Sequence, residues 1–244
     1  MIDNLQELLT PSLRLCWRVV ETQEKAATRD ITNSADEQSR LEELLDEVKP
    51  PVPSDCEGLS YLLKTPFRYP PLKYGSRFGS PFERGIYYAS IELQTAFAES
   101  AVYFWLFQAG PVDLGPLEQI KDHRTAISVR LSSQLSVQLE SDALKPYHKK
   151  LSDPSSWAFT QSLGLSLREL GVEFISYPSA RFDGGANIAV FSPSCFATGE
   201  PEQQQLWNVR LTREDCWFGK PDGTSYEYYR ADFEEGGKIP HPAL

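Results

Sequence analysis

The stretch Tyr69–Glu99 constrains the chain more than any other, because it changes character twice over a short distance. It begins as a loop rich in arginine, tyrosine and glycine, continues as a short apolar strand, and ends in an amphipathic helix. Arg77, Tyr88 and Glu99 follow one another at intervals of eleven residues, one in each of these elements. A cation, an aromatic ring and a carboxylate can therefore converge, a combination that suits a substrate carrying both a phosphate and a ring.

Helical and strand patterns follow one another irregularly along the rest of the chain. Apolar residues at helical spacing predict the helices Asn4–Leu9, Ser34–Val48, Ile91–Gln108 and Asp153–Leu170, the last with Asp153 as N-cap and Pro154 at its first position. Apolar or alternating runs predict the strands Leu15–Glu21, Gly85–Ser90, Thr125–Leu131, Leu135–Leu139, Val172–Tyr177, Asn187–Phe191 and Trp207–Leu211. Thr22–Ser34 and the Gly-Pro segment 110–116 are predicted loops, and the tail from Gly219 is predicted to be irregular. Without strict βαβ alternation, these elements predict an α+β domain with a mixed β-sheet core and surrounding helices.

Composition excludes several classes of function. The chain has 244 residues and a formal charge of −10, which argues against direct nucleic-acid binding and against an anionic membrane surface. No apolar run is long enough to span a membrane, and the first residues lack a signal-peptide pattern. The four cysteines show no metal-ligand spacing, so we expect reduced thiols in a cytoplasmic protein.

The common catalytic motifs are also absent. The sequence contains no GxGxxG, GxxxxGK[ST] or GxSxG motif, and its three histidines lack metal-binding spacing. We therefore expect no metal site, and the chemistry falls to arginine, tyrosine, glutamate and serine.

Each candidate in the opening stretch also has a purely structural explanation. Arg77 lies in a Gly-Ser-Arg-Phe-Gly loop that allows close approach to an anion, but a loop arginine can equally form a salt bridge. Tyr87 and Tyr88 point to opposite faces of their strand, so one can lie in the core while the other faces a cleft. Glu99 lies among alanines and Phe97, an unusual setting for a carboxylate that is simply solvated.

A second cluster follows a later strand. Ser179 and Arg181 lie in the loop Pro178–Ala186, where one could bond a ribose or phosphate oxygen and the other could pair with an anion. A polar connection with a Gly-Gly turn is the structural alternative.

The order Arg77, Tyr88, Glu99, Ser179 resembles the RES domain family, named for its arginine, glutamate and serine. The segments TPFRYPPLKYGSRFG, GIYYASIELQTAFAES, WAFTQSLGLSLRELG and GVEFISYPSARFDGGANIAVF carry the resemblance, in a motif-bearing core of about residues 65–193. The chain is thus expected to be a single RES domain with extensions at 1–64 and 194–244.

The resemblance implies a fold like that of ADP-ribosyltransferase toxins and cleavage of NAD+, as a substrate and not as a cofactor, by hydrolysis or phosphorolysis. It also implies a toxin of a type II toxin–antitoxin pair with an Xre-type antitoxin partner, and a possible homodimer. Arg77, Tyr88, Glu99 and Ser179 match the family's catalytic positions.

Around these positions, Arg18, Arg68, Tyr87 and Arg181 are further candidates for NAD+ binding. Two other functions stay open from the sequence: a mono-ADP-ribosyltransferase acting on a protein, and a non-catalytic binding module that docks a partner through its acidic helix.

Overall fold

The computed structural model describes residues 2–22, 31–108 and 115–242. Five α-helices are described: α1 Ala35–Glu47, α2 Tyr61–Arg68, α3 Leu93–Gln108, α4 His148–Leu151 and α5 Ala158–Glu169. Eight strands are described: β1 Thr10–Glu21, β2 Tyr87–Ser90, β3 Ile120–Gln138, β4 Phe174–Pro178, β5 Ala186–Val190, β6 Gln203–Leu211, β7 Asp215–Gly219 and β8 Ser225–Tyr229. No helix in these ranges is long and apolar enough to cross a membrane.

The eight strands form one mixed sheet in the order β1-β2-β5-β4-β3-β6-β7-β8. All neighbours pair antiparallel except β3 and β4, which pair in parallel. Strand β1 also pairs with β3 along most of its length, so β3, β1, β2, β5 and β4 close into a ring of five strands. The predicted α+β class and mixed sheet are confirmed.

The two faces of the sheet bury different helices. Tyr88 pairs with Ala189 and Ser90 with Asn187, so these four side chains share one face, which α3 and α5 cover. Tyr87 and Ala89 point to the other face, where their cluster includes Leu63 and Phe67 of α2. Since successive strand residues alternate between faces, this register decides which side chains can reach a common site.

Helix α3 is apolar around most of its circumference because it lies between elements. Its buried residues pack against β1 on one side and against the sheet's last strands, through Trp207, Phe218 and Tyr228, on the other. This packing fixes the helix over the β2–β5 region and positions its one inward-facing carboxylate, Glu99.

Several predicted boundaries are confirmed, and four predictions are wrong. Thr125–Leu131 and Leu135–Leu139 belong to a single strand, because the intervening Ser132 and Ser133 pair through their backbones with β1 and polar side chains do not interrupt that ladder. The tail from Gly219 is not irregular: it enters the β7–β8 hairpin, whose turn at Lys220–Thr224 contains Gly223 at φ +89°.

The third error is the helix start at Asp153. Its side chain does accept backbone N–H bonds from Ser155 at 2.7 Å and Ser156 at 3.2 Å, but the helix begins only at Ala158. The predicted helix Asn4–Leu9 is the short 3-10 turn Leu5–Leu8, and β1 begins directly after it. The predicted loops Thr22–Ser34 and 110–116 lie largely outside the described residues.

Candidate active site

Glu99 is the centre of a hydrogen-bonded chain that crosses from α3 to the sheet. Its Oε1 accepts a bond from Ser179 Oγ at 2.7 Å and from Asn187 Nδ2 at 2.5 Å. The Oδ1 of Asn187 in turn accepts from Ser90 Oγ at 2.7 Å. Both bonds fall on one carboxylate oxygen, and no bond to Oε2 occurs in the described part of the chain. The carboxylate is therefore held in orientation while one oxygen stays available to a substrate.

The loop that follows β4 delivers Ser179. Its Oγ donates to Glu99 and accepts the backbone N–H groups of Arg181 at 3.0 Å and Phe182 at 3.1 Å. Gly185 closes the loop against α3: a Cβ there would lie 2.5 Å from Thr95 Oγ1, so a larger residue would push the loop off the helix. The Ser179 proton is already committed to Glu99, which makes this serine a group that positions the carboxylate.

Arg77 lies in a tight turn between Ser76 and Gly79, which bond each other through N–H to carbonyl contacts of 2.7 and 3.3 Å. Gly75 has a φ of +74°, and a Cβ at this position would lie 2.2 Å from the Gly79 carbonyl. Tyr88 supports the turn from the sheet: its hydroxyl bonds Ser76 Oγ at 2.9 Å and accepts the Phe78 N–H at 3.0 Å. Burial raises the pKa of Tyr88 to about 12, and these two bonds oppose the shift.

Helix α5 holds the other side of the turn. Gln161 Nε2 lies within 3.0 to 3.3 Å of the carbonyl oxygens of Tyr74, Ser76 and Gly79. Arg168 Nη2 donates to the Phe78 carbonyl at 3.0 Å, and its Nη1 forms an ion pair with Glu83 at 2.6 Å. The turn is thus fixed from the sheet and from a helix, which pre-organises Arg77.

Two guanidinium groups of the candidate site have backbone carbonyls as their partners. Arg77 Nη1 donates to the carbonyls of Leu151 at 3.1 Å and Asp153 at 2.9 Å, and Arg181 Nη2 donates to that of Pro240 at 2.7 Å. Within residues 2–22, 31–108 and 115–242, neither guanidinium forms an ion pair with a carboxylate. Neutral acceptors orient the two side chains without cancelling their charge, which leaves both able to pair with an anion.

The electrostatics of Arg181 show how close these groups lie. Burial lowers its pKa, the Glu99 carboxylate opposes that shift, and the Arg77 guanidinium adds to it. Two cations and one carboxylate thus share a partly desolvated site in a strongly acidic protein. A bound dianion would relieve the repulsion between the arginines.

Three other candidate residues lie apart from this cluster. Arg18 and Tyr87 are on the opposite face of the sheet, where the Arg18 guanidinium lies 4.8 Å from the Tyr87 ring centroid and donates to the Tyr88 carbonyl at 3.1 Å. Arg68 lies on α2, where its Nε donates to the Pro50 carbonyl. The structure therefore does not bring these three side chains together with Glu99.

Sequence reasoning did not select Asn187, Ser90 or Gln161. Asn187 and Ser90 are buried polar residues at the ends of apolar strands, a position that signals a polar partner in the core. Gln161 carried no such signal, because its partners are backbone carbonyls of a distant loop. In the described ranges, no group of three histidine, cysteine, aspartate or glutamate side chains is placed to hold a metal ion.

The RES domain family model matches residues 52–212, roughly two thirds of the chain. The chain therefore belongs to the RES domain family. Among solved structures it is similar to the toxin–antitoxin complex MbcT–MbcA of M. tuberculosis, with 13% sequence identity and a TM-score of 0.45 over 84% of this chain and 87% of that one. No curated protein matches the sequence significantly.

Proposed function

We propose that the protein cleaves the nicotinamide–ribose bond of NAD+ and that it is the toxin of a toxin–antitoxin pair. The observation that carries the first part is the Glu99 carboxylate, fixed by Ser179 and Asn187 beside two arginines that have no carboxylate ion-pair partner in the described residues. Membership of the RES family supports the same assignment, and the toxin role rests on the family resemblance.

The reaction needs orientation and charge stabilisation more than acid catalysis. When the glycosidic bond breaks, its electron pair stays on the nicotinamide nitrogen, which turns a pyridinium into a neutral leaving group. The ribose C1′ then carries oxocarbenium character, and a fixed carboxylate nearby stabilises this positive charge. Glu99, held by two hydrogen bonds on one oxygen, is the proposed stabilising group, and its second oxygen is suited to a ribose hydroxyl or to the attacking water.

Arg77 and Arg181 are the proposed pyrophosphate ligands. Their positive charges flank Glu99, and planar guanidinium groups bind phosphate oxygens through paired, charge-assisted hydrogen bonds. The Tyr88 hydroxyl is bonded to the turn that carries Arg77, so the main proposed role of Tyr88 is to position that turn. The Tyr88 ring is the proposed group that orients the nicotinamide.

The acceptor is either water or phosphate. Water gives ADP-ribose and releases one proton, and inorganic phosphate gives the 1-phosphate of ADP-ribose. The proposed physiological partner is an antitoxin of the Xre type, and the proposed location is the cytoplasm. A homodimer is a further expectation from the family resemblance, which size-exclusion chromatography with light scattering tests.

The direct test is NAD+ consumption by the purified protein, with and without phosphate, beside Glu99→Ala. We expect wild-type protein to release nicotinamide. The variant should lose this activity while it remains folded, with a melting temperature lowered by the loss of the bonds from Ser179 and Asn187. The product formed in the presence of phosphate then separates hydrolysis from phosphorolysis. Radiolabelled ADP-ribose retained on protein from a cell extract would instead indicate a mono-ADP-ribosyltransferase. Activity that survives in Glu99→Ala would contradict the proposed site.

A further inference from the structure

A segment outside the family-matched region contacts Arg181 of the candidate site. After β8 the chain forms the short turn Arg230–Phe233 and then a tight reversal in which Glu235 and Lys238 bond each other's backbone. The reversal contains Gly236 and Gly237 at φ +60° and +79°. The residues that follow, Ile239–His241, are called the strap below.

The strap is packed into the core at Ile239, and its next residues contact the candidate site. Ile239 is buried in the cluster that α3 forms with the last strands. One residue further on, the Pro240 carbonyl accepts the bond from Arg181 Nη2. The imidazole of His241 contacts two aromatic rings, with centroid distances of 5.6 Å to Tyr103 and 5.2 Å to Trp157, edge-to-face in both cases.

This position places the strap among the proposed substrate groups. Tyr103 lies one helical turn after Glu99 on α3, and Trp157 comes shortly after Asp153, whose carbonyl holds Arg77. Burial lowers the pKa of His241, and the charges of Arg181 and Arg77 lower it further, so the imidazole lies within electrostatic reach of both arginines. The His241 imidazole and the Pro240 carbonyl oxygen thus lie next to each other against residues of the candidate site.

We propose that the strap occupies two substrate subsites: a phosphate subsite at Arg181, and a slot for a planar ring between Tyr103 and Trp157. Dinucleotide binding then requires the strap to leave. This inference rests on the proposed function, since it assigns subsites for the same NAD+ molecule. The strap is self-inhibitory, and its release sets the apparent affinity for the substrate.

The contacts of the strap favour exchange over permanent closure. Among the contacts of the strap, the Pro240 carbonyl accepts a hydrogen bond from Arg181, and the His241 ring contacts Tyr103 and Trp157. A pyrophosphate would give Arg181 charge-assisted bonds, which are stronger than a bond to a carbonyl. Ile239 stays in its cluster while Pro240 and His241 leave the site.

The test uses ADP, which carries the pyrophosphate and a ring but has no bond that the enzyme can cleave. The variant P240G/H241G removes the imidazole and loosens the strap while keeping the Ile239 anchor. Apparent affinity scales with the fraction of open molecules, so an open population of about one fifth would make the variant bind about fivefold more tightly. Isothermal titration calorimetry measures both affinities, and His123→Ala provides a control at an exposed histidine on β3.

A tighter ADP complex in P240G/H241G, with wild-type affinity in His123→Ala and similar melting temperatures, supports the strap. Equal or weaker binding by the strap variant overturns it, and weaker binding would make His241 a ligand of the substrate. If neither protein binds ADP, the pyrophosphate subsite fails, and the proposed function loses its arginine ligands. Hydrogen exchange provides a second readout: ADP should increase exchange at the His241 amide of the wild-type protein, the N–H between Pro240 and Pro242, and unchanged exchange there would overturn displacement.

Discussion

The substitution Asn187→Asp tests the Glu99 cluster without relying on any enzymatic activity. It keeps the shape of the side chain but exchanges the amide donor for a second carboxylate. Asn187 Nδ2 lies 2.5 Å from Glu99 Oε1, and Asn187 is almost fully buried. Two unit charges at that distance would repel by about 7 kcal/mol at an effective dielectric constant of about 20.

Sharing one proton is the less costly solution. Keeping a proton on a carboxyl at pH 7 costs about 4 kcal/mol, because its ordinary titration lies some three pH units lower and each unit costs about 1.4 kcal/mol. Repulsion therefore outweighs the cost of protonation, and the folded variant retains a proton that its unfolded chain releases. A raised folded-state pKa makes stability fall as pH rises, so the variant should lose about 3 kcal/mol relative to wild type between pH 5 and pH 7.

Urea unfolding at pH 5, 6 and 7 measures this difference. The control is Gln204→Glu, which makes the same amide-to-carboxylate change at an exposed position of β6; its stability should run parallel to that of wild type across this pH range. The pH-dependent gap is the informative quantity, because a simple packing defect would lower stability equally at every pH. If the Asn187→Asp curve runs parallel to the wild-type curve, the close contact between this side chain and Glu99 does not exist.

Three further substitutions test how the Arg77 turn is held. Gln161→Leu removes an amide that can donate two hydrogen bonds to the carbonyls of the turn. At about 1 kcal/mol for each bond, the loss should lower Tm by about 4–8 °C. The control Gln204→Leu on β6 should leave Tm unchanged. Tyr88→Phe removes the hydroxyl shared by Ser76 Oγ and the Phe78 N–H, and should lower the free energy of unfolding by about 1–2 kcal/mol in urea; an unchanged midpoint would refute the contact. Gly164→Ala places a Cβ 2.1 Å from the Phe78 carbonyl and should force α5 away from the turn, costing about 1–3 kcal/mol by calorimetry; a neutral effect would show that the packing is looser than described.

The sequence predicts much of the site because its residues lie on strongly patterned elements. Tyr88 and Glu99 belong to a strand and a helix whose apolar patterns mark their boundaries within about two residues. The Arg77 loop precedes them directly, and Ser179 and Arg181 follow another apolar strand. The pattern of apolar residues and the order of the elements therefore identify these residues as candidates, and their chemical roles are part of the proposed function.

Other parts of the site depend on pairing that local pattern does not encode. Both Tyr87 and Tyr88 suit a buried strand, and only the register with β5 shows that Tyr88 shares a face with Asn187. Arg18 lies on the opposite face for the same reason. The strap is harder still to predict, since the Pro240 carbonyl meets Arg181 across 59 positions of sequence and contributes a backbone oxygen that no motif identifies.

The most direct test of the account is the rate of nicotinamide release from NAD+ by wild-type protein, Glu99→Gln and Glu200→Gln. Glu200 is exposed, so it provides a carboxylate control of the same chemistry away from the pocket. We predict release by wild type and by Glu200→Gln, and a loss of about 100- to 1,000-fold in Glu99→Gln, as for removal of a pre-organised group that stabilises developing charge. Equal rates in the two variants, with both proteins folded, would contradict the assignment of Glu99 as the group on which the chemistry depends.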